Sequence, residues 1–405
     1  VLRDSIFINT VGSVFQPNAK ILALLFCFPL TLFYTALVHW LPREKTLYFI
    51  AAGLGTLGLG FTGLLYLWHS GVITDPTLLG WSFYMFAETF DALTMAPFWA
   101  FINDITYPGE AKRGYGFIVF AAQMGGLFFT GMSNVVSRYS GGDYTRFLPL
   151  IMGTVSILLP IFAFAIWKTM HAVRRQNLVG YVTLEEAESG KQSVEPVQSS
   201  FLAGIKLLLS RPYVAGIFAL TASREVIQTL MSYRLYCAIE AGYVEAASRH
   251  LFLFNYALVM QVIAVAFALF GTSYLQRKFG IRFSLIAYPI FLAVCAAATS
   301  FSSTLLIVAA AVAAAKALHY TLNKPAREVL YIPTSVDVKY KSKAWIEVFG
   351  IRLSKVTGAT LNKTIGQLPY VVGGIVLGVA TVWVFVAGSV GNVYNSIIKE
   401  RERIE

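Results

Sequence analysis

Long apolar blocks, separated by short polar stretches, run along most of the sequence. A block of about twenty apolar residues can cross the hydrocarbon core of a bilayer as a helix. Eleven blocks fit this description, five before a long polar stretch and six after it, near residues 19–40, 46–69, 80–104, 114–139, 146–170, 212–240, 250–276, 281–300, 303–331, 343–366 and 368–396. The pattern predicts an all-α polytopic membrane protein built from two helical bundles.

The long polar stretch divides the chain into three parts. We predict an N-terminal helical bundle over 1–170, a cytoplasmic linker over 171–200 and a C-terminal helical bundle over 201–405. Because there is one helix fewer before the linker than after it, we expect a first membrane helix to precede Val1 and to complete a set of twelve. A protein of eleven helices is the alternative. Two six-helix bundles follow the major-facilitator plan, in which the substrate site lies near mid-bilayer between the bundles.

Composition and charge agree with a membrane protein. Of the 405 residues, 57% are hydrophobic and 13% are charged, whereas a soluble domain carries about 25% charged residues. Cytoplasmic loops of membrane proteins are rich in Lys and Arg. With the linker in the cytoplasm, the loops on that side collect sixteen Lys and Arg residues and the opposite loops collect two, Arg146 and Arg249. This distribution predicts a cytoplasmic C-terminus and accounts for the net charge of +11 without a nucleic-acid partner.

Two carboxylates lie in the middle of the third apolar block. Ionisable residues inside membrane helices are costly, so each is a candidate for function. Glu88 and Asp91 are one helical turn apart and share a face. We predict a function or a buried ion pair for both. Lys20 opens the first block, where it lies either in a vestibule or at the membrane interface.

The first block after the linker also carries charge near its middle. Arg224 and Glu225 are adjacent there, and Gln228 shares the face of Glu225. Adjacent helical residues point about 100° apart, so the two charged groups cannot both face one cavity squarely. We therefore expect one of them to pair with a neighbouring helix.

Polar residues follow one face of the helix near 303–331. Their spacing of three to four residues predicts a single wet face, lined by Lys316, Tyr320, Asn323 and Arg327. The next helix carries Arg352 and Lys355, again three residues apart, and is too polar to face lipid. We expect it to line the same cavity.

Cations outnumber carboxylates among the positions expected to face this cavity. The cations are Lys20, Lys316, Arg327, Arg352 and Lys355, and the carboxylates are Glu88, Asp91 and Glu225. Excess positive charge in a cleft of low dielectric constant selects anions, and guanidinium groups match phosphate geometry. We predict that these cations bind phosphate. Tyr320 and Asn323 are the candidates for contact with a base or ribose.

The sequence predicts no metal site, no cofactor and no enzyme activity. The five His residues are scattered, and the three Cys residues lie in apolar blocks without metal-ligand spacing. The glycines over 53–58 fit a dinucleotide-binding pattern, but no strand precedes them in their apolar block. We interpret them as sites of close helix packing.

Several stretches resemble the ATP/ADP antiporter family, the nucleotide transporters of plastids and obligate intracellular bacteria. The resemblance extends over nearly the whole chain. It is carried by Phe83–Glu88, Phe98–Thr106, Glu110–Arg113, Pro325–Pro333 and Lys341–Gly358. Members of this family cross the membrane twelve times, in line with the expected additional helix.

The resemblance also implies roles for individual residues. A functional lysine of the family matches Lys20, and two functional acids match Glu88 and Glu225. With Asp91 and Arg224, these acids are then the expected gating or coupling residues. A further family lysine matches one residue of the basic run formed by Lys339, Lys341 and Lys343.

The implied activity is ATP/ADP exchange by alternating access. Because some members import nucleotides with protons, proton-coupled nucleotide symport is the alternative. The substrate is ATP, ADP or another nucleotide, since 332–335 and Gln228 depart from the pattern of many ATP/ADP exchangers. A membrane-embedded transferase is a distant third hypothesis, because the chain lacks a nucleophile–histidine arrangement. We expect a multi-pass protein of a bacterial inner membrane. The oligomeric state is left open.

Overall fold

The fold is taken from a computed structural model. The structure describes residues 2–41, 43–105, 108–139, 145–172, 208–270, 272–331, 334, 342–366 and 368–404. Most of the predicted linker, from residue 173 onwards, lies outside the described residues.

The helices that lie wholly within the described residues are numbered in chain order. The first six are α1 (Leu2–Thr10), α2 (Gln16–Trp40), α3 (Arg43–His69), α4 (Thr77–Ile105), α5 (Pro108–Arg138) and α6 (Leu148–Ala172). The others are α7 (Pro212–Gly242), α8 (Ala246–Phe270), α9 (Thr272–Phe301), α10 (Leu305–Val329), α11 (343–365) and α12 (Pro369–Ile404).

Each of the eleven predicted blocks corresponds to a helix, from α2 to α12. By length and composition, six helices of the described chain can cross a membrane, namely α3, α6, α8, α9, α10 and α12, or seven if the bent pair formed by α1 and the start of α2 counts as one span. The charged residues of α7 and α11 make these helices less apolar. Eleven crossings therefore stay a prediction, whereas a multi-pass helical membrane protein is supported.

One block boundary was predicted wrongly. The block expected over 250–276 ends as a helix at Phe270, and α9 begins at Thr272. Gly280 then breaks α9 with φ of +77° and ψ of 173°. This backbone conformation is almost restricted to glycine, so the break is a local property of the sequence that hydropathy does not reveal.

The hydrophobic core is divided between two sets of helices, a first set formed by α1 to α6 and a second set formed by α7 to α12. One cluster of buried side chains, which includes Leu65 and Phe83, comes from α1, α2, α3, α4 and α6. A larger cluster, which includes Tyr288 and Trp383, comes from α7 to α12 with Ile8 of α1. Between the sets, α2 packs against α11, and α5 and α1 pack against α8. These contacts bring polar residues from both sets to a shared interface.

Two of the helices that the structure describes contain π-helical turns. His319–Asn323 is π-helical within α10, and Ile346–Gly350 is π-helical within α11. A π-turn adds one residue to the turn and therefore rotates the residues that follow it relative to a regular α-helix. The faces predicted from α-helical spacing do not continue through these turns.

Candidate functional site

A group of charged side chains lies where α1, α2, α4, α10 and α11 meet. We call it the central cluster, and its members are Arg3, Asp4, Lys20, Glu88, Lys316, Arg352 and Lys355. Five cations thus face two carboxylates. Lys20, Glu88, Lys316, Arg352 and Lys355 were all expected from the sequence, and the structure brings them together.

The two carboxylates of the central cluster are bound by one guanidinium group. Arg3 donates a hydrogen bond to Glu88 of α4, forming an ion pair between two helices. The same guanidinium lies 2.8 Å from the Asp4 carboxylate and 4.7 Å from the centre of the Tyr84 ring. Tyr236 of α7 adds a hydrogen bond to Asp4. Arg3 and Asp4 therefore connect α1 to both sets of helices.

Three lysines of the central cluster have no such partner. Among the described residues, Lys20, Lys316 and Lys355 form no ion pair within 4 Å and no hydrogen bond, although each is half-buried. Lys355 acts electrostatically on both Lys20 and Glu88. The Nζ of Lys316 lies 5.6 Å from the centre of the Tyr256 ring. Their positive charge is thus available to a ligand.

Arg352 lines a small cavity next to these lysines. Glu88 and Thr89 of α4 line it on one side, and Ala23 and Cys27 of α2 on the other. Arg352 is buried and acts electrostatically on Glu88. Arg352 therefore places a guanidinium group beside Glu88 and one helical turn from Lys355.

A second charged group, formed by α7, α10 and α11, is close to neutral. Arg224 and Glu225 form an ion pair with each other. The closest charged partner of each residue therefore lies on the same helix, α7, and not on a neighbouring helix as expected. Arg327 of α10 donates a 2.8 Å hydrogen bond to the Thr221 hydroxyl and lies 3.6 Å from the Glu347 carboxylate. The Arg327 side chain is only 4% exposed. These contacts link α10 to both α7 and α11.

The single wet face expected on α10 is divided by its π-turn. Lys316, which precedes the turn, belongs to the central cluster, whereas Arg327, which follows it, contacts α7 and α11. Asn323 is buried and hydrogen-bonded to His319 at 3.1 Å. Tyr320 is 43% exposed. A direct phosphate role for Arg327 and a base contact for Asn323 do not fit these buried, bonded side chains.

The remaining predicted residues lie elsewhere. Asp91 is exposed, whereas Glu88 is buried, although the two are one turn apart. Lys343 lies 2.5 Å from the Glu328 carboxylate of α10. Lys339 and Lys341 lie outside the described residues.

Sequence reasoning missed several residues of these groups. Arg3 and Asp4 belong to a short helix rather than to a long apolar block, so the search for charges in apolar blocks passed over them. Their signal is a pair of opposite charges that only Ser5 separates from the apolar residues 6–8. Thr221 was missed because an uncharged hydroxyl in an apolar helix gives no distinct pattern.

The chemistry of the central cluster favours a ligand with several negative charges. No group of three or more His, Cys, Asp or Glu side chains suited to a metal ion occurs in the described part of the chain. Flexible lysines and a planar guanidinium both form strong charge-assisted hydrogen bonds to phosphate oxygens.

Proteins of known function resemble the chain over most of its length. The chloroplastic ADP,ATP carrier protein 2 of Arabidopsis thaliana is 26% identical, over 92% of this chain and 67% of the relative. ADP,ATP carrier protein 1 of Rickettsia prowazekii (strain Madrid E) is 21% identical, over 80% of this chain and 70% of the relative. ADP,ATP carrier protein 1 of Chlamydia pneumoniae is 24% identical, over 82% and 72%.

The fold resembles that of a solved transporter. The crystal structure of a bacterial homologue of the iron transporter ferroportin in an inward-facing state superimposes with a TM-score of 0.57, at 10% identity over 95% of both chains. The sequence model of the TLC ATP/ADP transporter family matches residues 69–394, which include α4 to α11 and most of both charged groups. The resemblance found in the sequence motifs is thereby confirmed, and the chain belongs to the TLC ATP/ADP transporter family.

Proposed function

We propose that this protein exchanges ATP for ADP across a membrane by alternating access, and that the central cluster binds the phosphate groups. The observation that carries the proposal is the surplus of cations over carboxylates in a cluster shared by both sets of helices. The relatives that the chain matches are ADP,ATP carriers of a plastid and of bacteria, which agrees with the proposal.

The cations of the cluster have two different roles in this proposal. Lys20, Lys316 and Lys355, which have no bonded partner among the described residues, donate to phosphate oxygens, and Arg352 adds a guanidinium group. Arg3 instead holds Glu88 in the empty carrier. An arriving phosphate competes with Glu88 for Arg3, so substrate binding weakens a contact between α1 and α4. If the carrier changes conformation only when a bound nucleotide relieves this contact, it does not return without a nucleotide. It therefore exchanges one nucleotide for another.

The contacts between the two sets of helices support an arrangement that is closed at one end. Asn134 of α5 bonds to Asn255 of α8 at 2.5 Å, and Ser13, before α2, bonds to Glu240 near the end of α7. By the positive-inside rule this end faces away from the cytoplasm, and the C-terminus lies in the cytoplasm. The carrier then faces inward, and its bacterial relatives support a location in a bacterial inner membrane.

Uptake of labelled ATP into proteoliposomes tests the proposal. The purified protein is reconstituted into vesicles that are preloaded with ADP or left empty, with no proton gradient in either case. We expect uptake only into ADP-loaded vesicles. Equal uptake into empty vesicles would contradict exchange, and uptake that requires an inward proton gradient would replace it with proton symport. A labelled product other than ATP or ADP would indicate a transferase.

A further inference from the structure

The turn between α1 and α2 contacts the end of α7 and the start of α8. This contact joins the first set of helices to the second and involves none of the residues of the central cluster. It consists of Ser13 on one side and Glu240 and Arg249 on the other, with Cys237 alongside. We call Ser13, Glu240 and Arg249 the elbow contact.

The elbow contact is built around one carboxylate. The backbone N–H of Ser13 donates to Oε1 of Glu240 at 2.8 Å, and the Ser13 hydroxyl donates to Oε2 of the same residue. Arg249 approaches the carboxylate from α8 at 3.9 Å. Both carboxylate oxygens are thus engaged across the boundary between the two sets of helices. The Glu240 side chain is 24% exposed, so water can replace these partners when the contact opens.

The local backbone is shaped for this contact. Gly12 has φ of +102° and ψ of 151°, which turns the chain so that the Ser13 N–H points at Glu240. α1 and the start of α2 are bent by 112° at this point. Conformations of this kind are nearly exclusive to glycine and cost free energy in other residues. A turn of this shape holds the backbone N–H and the hydroxyl of Ser13 against the two carboxylate oxygens of Glu240 on α7.

Further bonds on the same side lie between the same two sets. The hydroxyl of Ser5 lies 2.6 Å from Nδ1 of His250, and Asn255 accepts from Arg138 at 3.3 Å. Bonds that link separate bundles at one end of the carrier can act as a gate, because opening that end must break them.

We propose that the elbow contact is a gate, and that each transport cycle breaks the Ser13–Glu240 bonds to open this end of the carrier. The inference rests on alternating access in the proposed function, but the second of its two tests works without a nucleotide. Glu240 is a positioning residue here, because it fixes the turn between α1 and α2 and is not assigned to the central cluster.

A disulfide across the gate tests the proposal directly. The Ser13 hydroxyl lies 3.7 Å from the sulfur of Cys237, so Ser13→Cys places two thiols side by side. Oxidation with copper–phenanthroline and oxygen joins the two sulfurs, and the oxidant takes up two electrons while two protons are released. We expect ATP uptake to fall in proportion to the crosslinked fraction and to return after reduction.

Two controls accompany this measurement. The double variant Ser13→Cys/Cys237→Ser cannot form the bond, and the unchanged protein reports any effect of oxidant on its other cysteines, Cys27 and Cys295. Mass spectrometry verifies the disulfide. Failure of the bond to form, or full uptake by crosslinked protein, would overturn the gate.

A second measurement does not depend on nucleotide transport. A membrane-impermeant maleimide should label Cys237 faster when the gate is open, since this residue is half-buried beside Ser13. We expect labelling of Cys237 in Glu240→Gln to be severalfold faster than in the unchanged protein, because this variant loses the charge that binds Arg249. Labelling in Glu240→Asp, which keeps the charge, should be slower than in Glu240→Gln. Glu245→Gln is the matched control, because Glu245 is exposed and accepts a hydrogen bond from Ser248 in the first turn of α8.

The two proposals fail in different ways. Equal labelling of Cys237 in the unchanged protein and in Glu240→Gln would overturn the gate, whatever the protein transports. Faster labelling in Glu240→Gln, in a protein that shows no ATP uptake, would support the gate and contradict the proposed substrate.

Discussion

The role of the unpaired lysines can be tested most sharply at Lys355. This residue is half-buried on α11, acts electrostatically on Lys20 and Glu88, and has no bonded partner among the described residues. Lys355→Met keeps most of the side-chain volume and removes the charge. Lys363→Met, two turns later on the same helix and exposed, is the matched control.

The expected loss follows from a single charge-assisted hydrogen bond. Such a bond contributes about 1.5–3 kcal/mol, and 1.4 kcal/mol corresponds to a factor of about ten in affinity. Lys355→Met should therefore weaken ATP binding by about ten- to a hundredfold. Because the site is partly buried, salt screens this effect less than it would at the surface.

Thermal unfolding in detergent, with and without ATP, measures the difference. At an ATP concentration of about 100 times the dissociation constant, the ligand stabilises the unchanged protein by about 2.7 kcal/mol. At the same concentration, a protein that binds ten- to a hundredfold more weakly gains only about 1.4 to 0.4 kcal/mol. Lys363→Met should retain the full gain. An equal ATP-dependent gain in Lys355→Met and the unchanged protein would refute a phosphate role for this lysine.

Three further predictions concern the contacts that hold the site together. Glu88→Gln should lower stability by at most about 3 kcal/mol, because Arg3 loses one of its two carboxylate partners; chemical denaturation should show part of this loss recovered when Arg3→Gln is added, and an additive double variant would contradict the pair. Arg327→Lys should lower the free energy of unfolding by about 1.5–3 kcal/mol, because Lys lacks the planar guanidinium group that reaches both α7 and α11. Chemical denaturation measures this loss, and an unchanged unfolding midpoint would show that these bonds are dispensable. Gly12→Ala should destabilise the protein by about 1–3 kcal/mol through backbone strain, whereas Gly53→Ala, which meets no neighbouring atom, should not; equal effects would argue against strain at the turn.

Much of the fold could be predicted because apolar block length is a local property. Each predicted block corresponds to a helix, and the family motifs led to the correct family. The break at Gly280 could not be predicted, since hydropathy does not report φ and ψ. Neither could the π-turn over His319–Asn323, which interrupts the helical spacing used to assign one face to α10.

The candidate site was predicted in part, for a related reason. A charged residue in an apolar helix is recognised from its own surroundings, so Lys20, Glu88 and Lys316 could be identified individually. The partner of each charge could not, because a pair depends on how separate helices pack. Arg3 and Glu88 are 85 residues apart, and Ser13 and Glu240 are 227 residues apart.

The sequence by itself determined which segments are helical, which residues carry charge inside them, and to which family the chain belongs. All three follow from the order of residues within short windows. Only the tertiary structure decided how those charges are distributed between bonded pairs and unpaired lysines. That distribution depends on helix packing and on the π-turns, which redirect Arg327 away from Lys316 and leave the surplus positive charge in the central cluster.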